Sequence, residues 1–295
     1  MSKRVLITGS EGFTGRYVSE EFRRAGWDVW GAGLQPKPEQ MQYRQADLMK
    51  PETLKPIVTE IKPNVVIHLA AMAFVAEDDA NSFYRVNLIG TRNLLESLCA
   101  AKNPPECTIV ASSANVYGNS TLEVLNEDSP TNPANDYAVS KLAMEYLTKT
   151  YMDRLSIVIT RPFNYTGVGQ SSRFLIPKIV EHFRNKAPSI KLGNLHVERD
   201  YSDVRDIARY YSAIAHAQPI GQTLNFCSGT TYSIGAIVDM ACKETGQRPE
   251  IISDPSLVRA NEVHRLCGDS DLLKTKTGVH ASYAMQDTVN WMLSV

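Results

Sequence analysis

The chain has 295 residues, 43% of them hydrophobic and 21% charged, with a formal net charge of −1. That length supports a large core, and a near-neutral charge gives no reason to expect nucleic acid or an anionic membrane as a partner. No apolar run approaches the roughly 18 residues of a membrane span, and Met1-Ser2-Lys3-Arg4 lacks a signal-peptide pattern, so a cytoplasmic location is expected. Cys99, Cys107, Cys227, Cys242 and Cys267 are odd in number and lack ligand spacing, which predicts reduced thiols and no metal site.

The first predicted element is the strand Val5-Leu6-Ile7, which runs into Thr8-Gly9-Ser10-Glu11-Gly12-Phe13-Thr14-Gly15-Arg16 and an amphipathic segment through Phe22. A strand, a glycine turn and a helix start in that order make a phosphate-cradling loop. Gly9 can take the positive φ of a tight turn, Gly12 lets the backbone approach a pyrophosphate, and Gly15 lets the helix pack closely on its strand. The spacing G-x-x-G-x-x-G near the N-terminus predicts a dinucleotide site.

Trp27-Asp28-Val29-Trp30-Gly31-Ala32-Gly33 reads as the second strand. An NAD-preferring fold carries an acid near that strand's end to hold the ribose 2′-hydroxyl. Gly33, Leu34 and Gln35 stand there instead, so nothing repels a 2′-phosphate, and Arg16 or Lys37 can pair with it. NADP is therefore favoured, with NAD possible. Asp47-Leu48 follows a short strand, where a carboxylate can face the adenine amine. The continuous apolar run Asn64-Val65-Val66-Ile67-His68-Leu69-Ala70-Ala71 predicts a buried parallel strand. His68 within it reads as a packed core histidine, and the small Ala70 and Ala71 leave room for a cofactor. Residues 81–102 have helical periodicity, and Cys107-Thr108-Ile109-Val110-Ala111 is the next strand. Strand and helix in alternation predict an α/β fold with a doubly wound parallel sheet.

Chemistry concentrates in the next thirty residues. The strand ends in Ser112-Ser113-Ala114-Asn115, at the carboxyl edge where open α/β sheets bind ligands. Tyr137 and Lys141 follow at a spacing of four, on one helix face. A lysine ammonium beside the phenol, together with a nicotinamide cation, would favour the phenolate and make Tyr137 a usable acid–base group. Ser113 can donate to a substrate carbonyl or hydroxyl oxygen.

The glycine loop, Asp47-Leu48, His68-Leu69-Ala70-Ala71, Ser113 and Tyr137-x-x-x-Lys141 together resemble the extended short-chain dehydrogenases/reductases of nucleotide sugars, across essentially the whole chain. The resemblance implies a Rossmann sheet and a catalytic set of Ser113, Tyr137 and Lys141. It implies cofactor contacts from Gly9, Gly12, Phe13, Thr14, Gly15, Arg16, Asp47, Leu48, Leu69, Ala70, Ala71 and Lys141. The family divides into epimerases, 4,6-dehydratases and reductases. Its dehydratases carry an acidic pair immediately after the serine, where this chain has Ala114 and Asn115. Neither is a general base, which argues against elimination of water.

Arg161-Pro162-Phe163-Asn164-Tyr165-Thr166-Gly167-Val168-Gly169-Gln170, leading into Arg173 and Lys178, resembles the GDP-4-keto-6-deoxy-mannose reductases. Those enzymes more often have His-Thr-Gly-Pro where this chain has Tyr165-Thr166-Gly167-Val168. By this resemblance Asn164, Arg173, Lys178, Arg199, Arg259 and Glu262 are candidate substrate contacts, with Arg199 and Arg259 facing the diphosphate and Glu262 a ribose. Asp203 and Asp206 read as caps of the next helix. The expected organisation is a cofactor domain over 1–162 with return segments near 203–228, and a smaller discontinuous substrate domain within 163–295. The helices carrying Asn87 and Tyr137 are where the family pairs subunits, so the resemblance implies a homodimer. The expected reaction is NADPH-dependent reduction of a nucleotide-4-keto-6-deoxyhexose, with GDP as the carrier. A 4-epimerase holding NAD tightly and a non-catalytic dinucleotide-sensing protein are the alternatives.

Overall fold

Four apolar runs, mostly β-branched, make the middle of the central sheet: β1 (Arg4–Thr8), β4 (Val65–His68), β5 (Cys107–Ala111) and β6 (Ile157–Pro162). With β2 (Asp28–Gly33), β3 (Tyr43–Gln45) and β10 (Thr223–Phe226) they form a seven-stranded sheet in the order β10-β6-β5-β4-β1-β2-β3. Every pairing in it is parallel. The computed structural model describes residues 2–37, 39–73, 79–255 and 265–295.

Strand side chains alternate between two cores. Val5 and Ile7 of β1 pack with Val18 and Phe22 of α1 (Phe13–Arg24) and with residues of α7 (Val204–Ala217), among them Ile207, Tyr211 and Ile214. Leu6, Val66 and Val110 point the other way. They meet Leu54, Ile57 and Ile61 of α2 (Pro51–Ile61), Leu94 and Leu98 of α4 (Thr91–Cys99), and Met144 of α5 (Asp136–Lys149). Each such side chain, fully buried, is worth about 1.5–3 kcal/mol. The strand order reverses between β1 and β4, and open α/β sheets bind ligands beyond the carboxyl ends at such a point.

The helix expected over 81–102 is less regular than its periodicity suggested. α3 (Asn81–Phe83) runs into a π-helical turn, Tyr84–Gly90, before α4. The wider turn faces Asn87 inward, where it is 1% exposed, and brings Gly90 against Leu48.

A separate set of short strands gathers residues from the second half of the chain. β7 (Asn164–Thr166) and β11 (Thr231–Ser233) pair with β9 (Glu198–Asp203), as does β13 (Arg265–Leu266). β8 (Ser189–Leu192) pairs with β12 (Glu250–Ser253). A third core lies beneath them, built by α6 (Leu175–Arg184), α8 (Ile234–Thr245) and α10 (Met285–Leu293) around Ile179, Phe183, Ile237 and Val289. α9 (Asp271–Thr277) returns Leu273 to the core shared with α1 and α7. Among the described residues no helix is long and apolar enough to cross a membrane.

Candidate active site

The glycine loop closes on itself and on the neighbouring strand. Gly9 has φ +73, and a Cβ there would sit 2.8 Å from the Ala70 nitrogen. A Cβ on Gly15 would lie 2.2 Å from the Gly9 carbonyl oxygen, so only glycine lets α1 pack this near the loop. Gly12 precedes α1 in extended backbone, and a Cβ on it would meet nothing nearer than the Gly9 oxygen at 3.2 Å. Its open side is the exposed one, where a pyrophosphate can lie against the first N–H groups of α1. The loop and the helix start thus have the shape and polarity that a dinucleotide needs.

His68 fixes the edge of this loop. Its Nδ1 lies 2.7 Å from the Thr8 hydroxyl and its Nε2 lies 2.9 Å from the Thr91 hydroxyl. Thr91 donates to the Asn87 carbonyl at 2.6 Å, so Nε2 carries the proton and Nδ1 accepts from Thr8. Thr8 is left to accept from the Ala70 N–H at 3.3 Å. Burial and the nearby Lys141 charge push the His68 pKa down to about 3, and it stays a neutral link in the chain.

On the far side of β4, Ser113 stands two residues past β5 and caps a 3₁₀ turn, its hydroxyl accepting from the Asn115 N–H at 3.2 Å. The same hydroxyl hydrogen-bonds Tyr137 on α5. Lys141, one turn later on α5, is 3% exposed, and its ammonium donates to the Ala111 carbonyl at 2.8 Å. Burial brings its pKa down from 10.5 to about 8, with Glu145 opposing. α5 itself starts where the Asn135 side chain accepts the Ala138 N–H at 2.9 Å.

Without a nicotinamide cation beside it, the phenol is governed by its burial. Burial raises the Tyr137 pKa to about 12, Tyr165 adds to the rise, and only the Ser113 hydrogen bond opposes it. In the field of the protein's own groups, Tyr137 is a protonated donor.

Asn87, named from the sequence only as a position on a subunit-pairing helix, has a side chain that organises the site. Its amide donates to the Met72 carbonyl and the Ser140 hydroxyl, both at 3.0 Å, and its carbonyl accepts the Met72 N–H at 2.8 Å. Ser140 in turn donates to the Tyr137 carbonyl at 2.7 Å. Asn87 therefore ties the segment after β4 to the helix bearing Tyr137 and Lys141. An amide among apolar residues at helical spacing was its signal.

The remaining expected contacts are placed as follows. Asp47 accepts the Met49 N–H at 2.9 Å, and Leu48 accepts from Asn93 at 2.8 Å. Leu69 and Ala70 are half-buried at the end of β4, and Ala71 is exposed beyond them. Phe13 stacks on Tyr165 at 6.1 Å between centroids, and Thr14 hydrogen-bonds the Tyr165 hydroxyl at 2.7 Å, joining the glycine loop to β7. Asn164 and Arg199 lie on paired strands, β7 and β9. Asn164 reaches the Asp200 carbonyl at 3.4 Å, and Arg199 donates to the Glu198 carbonyl at 2.8 Å. Arg173 is exposed before α6, and Lys178 donates to the Lys191 carbonyl at 3.2 Å. Neither has a hydrogen bond to Ser113, Tyr137 or Lys141. Arg259 and Glu262 lie outside the described residues. Asp203 caps α7 through the Arg205 N–H at 2.7 Å. Asp206 does not cap; its carboxylate accepts the Ser282 and Tyr283 N–H groups instead, because it faces the incoming segment before α10. Lys37, expected to be free for a 2′-phosphate, has its ammonium 3.9 Å from Glu11.

Residues 6–292 match the family model described as GDP-mannose 4,6 dehydratase. The chain belongs to that family. It is 32% identical over 278 residues to the GDP-6-deoxy-D-talose 4-dehydrogenase of Aggregatibacter actinomycetemcomitans, covering 93% of this chain and 91% of the relative. A chain from Burkholderia cenocepacia J2315, solved as a candidate epimerase, superposes with a TM-score of 0.94 at 44% identity, over 99% of this chain and 97% of the other. RMD from Pseudomonas aeruginosa, solved with NADPH, superposes with a TM-score of 0.87 at 28% identity, over 99% and 98% of the two chains. The family is one of nucleotide-sugar oxidoreductases and epimerases, and the parallel sheet with flanking helices is the fold it shares.

Proposed function

We propose that this member of the family reduces the C4 keto group of a nucleotide-linked 4-keto-6-deoxyhexose, carried on GDP, with NADPH as the hydride donor. The observation that carries the reading is the placing of the Tyr137 phenol beside the Ser113 hydroxyl and one helical turn from the buried Lys141, at the carboxyl edge of the sheet. When bound, the reduced nicotinamide supplies the hydride. Ser113 orients the carbonyl oxygen, and Tyr137 delivers its proton to that oxygen as negative charge develops there. A raised phenol pKa suits this direction, because the group must arrive protonated. Lys141, already on the Ala111 carbonyl, has further N–H groups to hold the nicotinamide ribose and offers positive charge once the phenolate forms.

Ala114 and Asn115 follow Ser113 in place of two carboxylates, and neither can take the proton that loss of water requires. That speaks for reduction over dehydration. Relatives named for GDP-6-deoxyhexoses support GDP as the carrier. Within this reading the α1 and α7 half holds the cofactor, and the third core with β7 and β9 holds the sugar nucleotide through Asn164, Arg173, Lys178, Arg199, Arg259 and Glu262. Val139 and Tyr146 are exposed and seven residues apart on α5, which supports the homodimer.

The test is incubation with NADPH and GDP-4-keto-6-deoxymannose, following both cofactor oxidation and the sugar product. The reading expects one NADPH oxidised per GDP-6-deoxyhexose formed, and stronger competition by GDP than by UDP or dTDP. The candidate-epimerase relative favours a second reading, a 4-epimerase. Purification with NAD bound, and inversion of a nucleotide hexose without NADPH consumption, would establish that one instead.

A further inference from the structure

We propose that Asp200 of β9 is a positioning residue for the sugar nucleotide: its buried carboxylate gathers the strands on either side of Arg199 and so fixes where that arginine stands. The proposal rests on the sugar-nucleotide reading above.

Asp200 is fully buried, with 0% of its surface exposed. One carboxylate oxygen accepts the Ser228 N–H at 2.9 Å and the Ser228 hydroxyl at 2.8 Å. The other accepts the Gly229 N–H at 2.9 Å and the Gly268 N–H at 3.3 Å. Ser228 and Gly229 lead into β11, and Gly268 follows β13. Those two strands flank Arg199, whose register partners are Tyr232 on β11 and Leu266 on β13. The Asp200 carbonyl accepts the Asn164 amide at 3.4 Å from β7. One residue therefore binds together all three strands that pair with β9.

The backbone at this junction is shaped to reach the carboxylate. Gly229 turns with φ +76, and a Cβ on Gly268 would lie 2.6 Å from the Cys227 sulfur. Glycine at both places lets the N–H groups come in. The Cys267 thiol then donates to the Gly229 carbonyl at 3.5 Å, joining the two incoming segments to each other.

Stability alone does not call for this arrangement. A buried carboxylate gives up its hydration, and among the described residues no lysine or arginine pairs with Asp200. Burial raises its pKa, against the Ser228, Gly268 and Gly229 hydrogen bonds. An amide of the same size would carry no charge, but its NH₂ would face incoming N–H groups. A carboxylate accepts at both oxygens, and hydrogen bonds to an ionised acceptor are about twice as strong as neutral ones. The charge thus holds three segments in one fixed relation around Arg199. Such rigidity matters where a ligand is held, since a misplacement of about 1 Å can cost roughly 100-fold in rate.

The experiment is a double-mutant cycle on Asp200→Asn and Arg199→Ala, read by calorimetry with GDP-mannose and NADP⁺ as probes. Asp200→Asn should weaken GDP-mannose about tenfold and leave NADP⁺ within twofold. Ser228→Ala, which removes one of the four donors and spares the carboxylate, should weaken GDP-mannose about threefold. In the Arg199→Ala background Asp200→Asn should add less than threefold, because its effect runs through the arginine. An undiminished tenfold loss in that background would overturn the proposal, as would unchanged GDP-mannose affinity in Asp200→Asn. Equal losses for GDP-mannose and NADP⁺ would also overturn it, by showing a general loosening of the fold. Should Asp200→Asn fail to fold, Ser228→Ala in the two backgrounds decides by the same criteria. If wild type binds NADP⁺ but no GDP-mannose, the sugar-nucleotide reading falls and this proposal with it.

Discussion

Two buried charged groups stand one turn apart on α5 and are treated differently. Glu145 is 1% exposed and meets the 5%-exposed Arg161 of β6 through two parallel hydrogen bonds, Nε to Oε1 at 2.9 Å and Nη2 to Oε2 at 2.7 Å. Arg161 Nη1 also donates to the Tyr117 hydroxyl at 3.0 Å and the Glu127 carbonyl at 3.1 Å. Its pKa is driven further above the ordinary arginine range, chiefly by Glu145 against burial. Lys141 is equally buried, but among the described residues its ammonium meets the Ala111 carbonyl and no carboxylate, and burial brings its pKa down. A saturated pair locks α5 to the sheet, whereas an undersatisfied ammonium retains capacity for a ligand. Position on the helix does not separate structure from chemistry here; completeness of the partner set does.

The largest expected effect comes from breaking the saturated pair. Arg161→Met leaves the Glu145 carboxylate buried without its hydrogen-bonded cation, at a cost of about 3–5 kcal/mol. For a domain whose whole stability is about 5–15 kcal/mol, thermal or urea unfolding should show a severe loss. Glu145→Gln with Arg161→Met should recover most of it, since the uncompensated charge is then gone. Unchanged stability in Arg161→Met would show that the pair is not what holds α5.

Tyr137→Phe should act in the opposite manner. Turnover should fall by about 10²–10⁴-fold, the usual worth of a positioned proton donor, while NADPH affinity and the unfolding midpoint stay near wild type. Activity within threefold of wild type would remove Tyr137 from the chemistry.

Lys141→Met sharpens the comparison through its sign. A lysine depressed to about 8 in the native state is destabilising whenever it is charged. Between about pH 8 and its ordinary 10.5, the unfolded chain holds a proton that the native chain has released, so native stability rises with pH across that window. Below pH 8 the full penalty is present, on the order of 3 kcal/mol. Lys141→Met should therefore be more stable than wild type at pH 7, by up to that amount, and its advantage should shrink as pH approaches 10. It should also be inactive. A stability gain with lost activity is expected only of a charge kept for function.

Much of this was legible in the sequence, for physical reasons. Parallel strands buried on both faces must be apolar throughout, so Val5, Val65, Ile109 and Ile157 announced the sheet. Gly9 and Gly15 admit no other residue, and the Tyr137-Lys141 spacing is fixed by helix geometry. What stayed hidden depends on contacts across long separations. The Arg161–Glu145 pair, the Thr14–Tyr165 bridge spanning 151 residues, and the closure of Tyr43 over Gly33 leave no periodic trace. The π-helical turn that faces Asn87 inward has the same apolar pattern as an α-helix. The burial that raises the Tyr137 pKa was hidden too, because lysine spacing is visible in a sequence while desolvation is not.

The smallest expected effect bears most directly on the proposal that Lys141 and Tyr137 do the chemistry, and it is the pH profile of kcat/KM for NADPH-dependent ketone reduction. Phenol protonation is not limiting below about pH 12, so Lys141 sets the alkaline limb. The profile should be flat through neutrality and decline above about pH 8, approaching tenfold per unit as the ammonium is lost. A rate that stays flat to pH 10 would contradict the account, because the reaction would then proceed without the charge on Lys141.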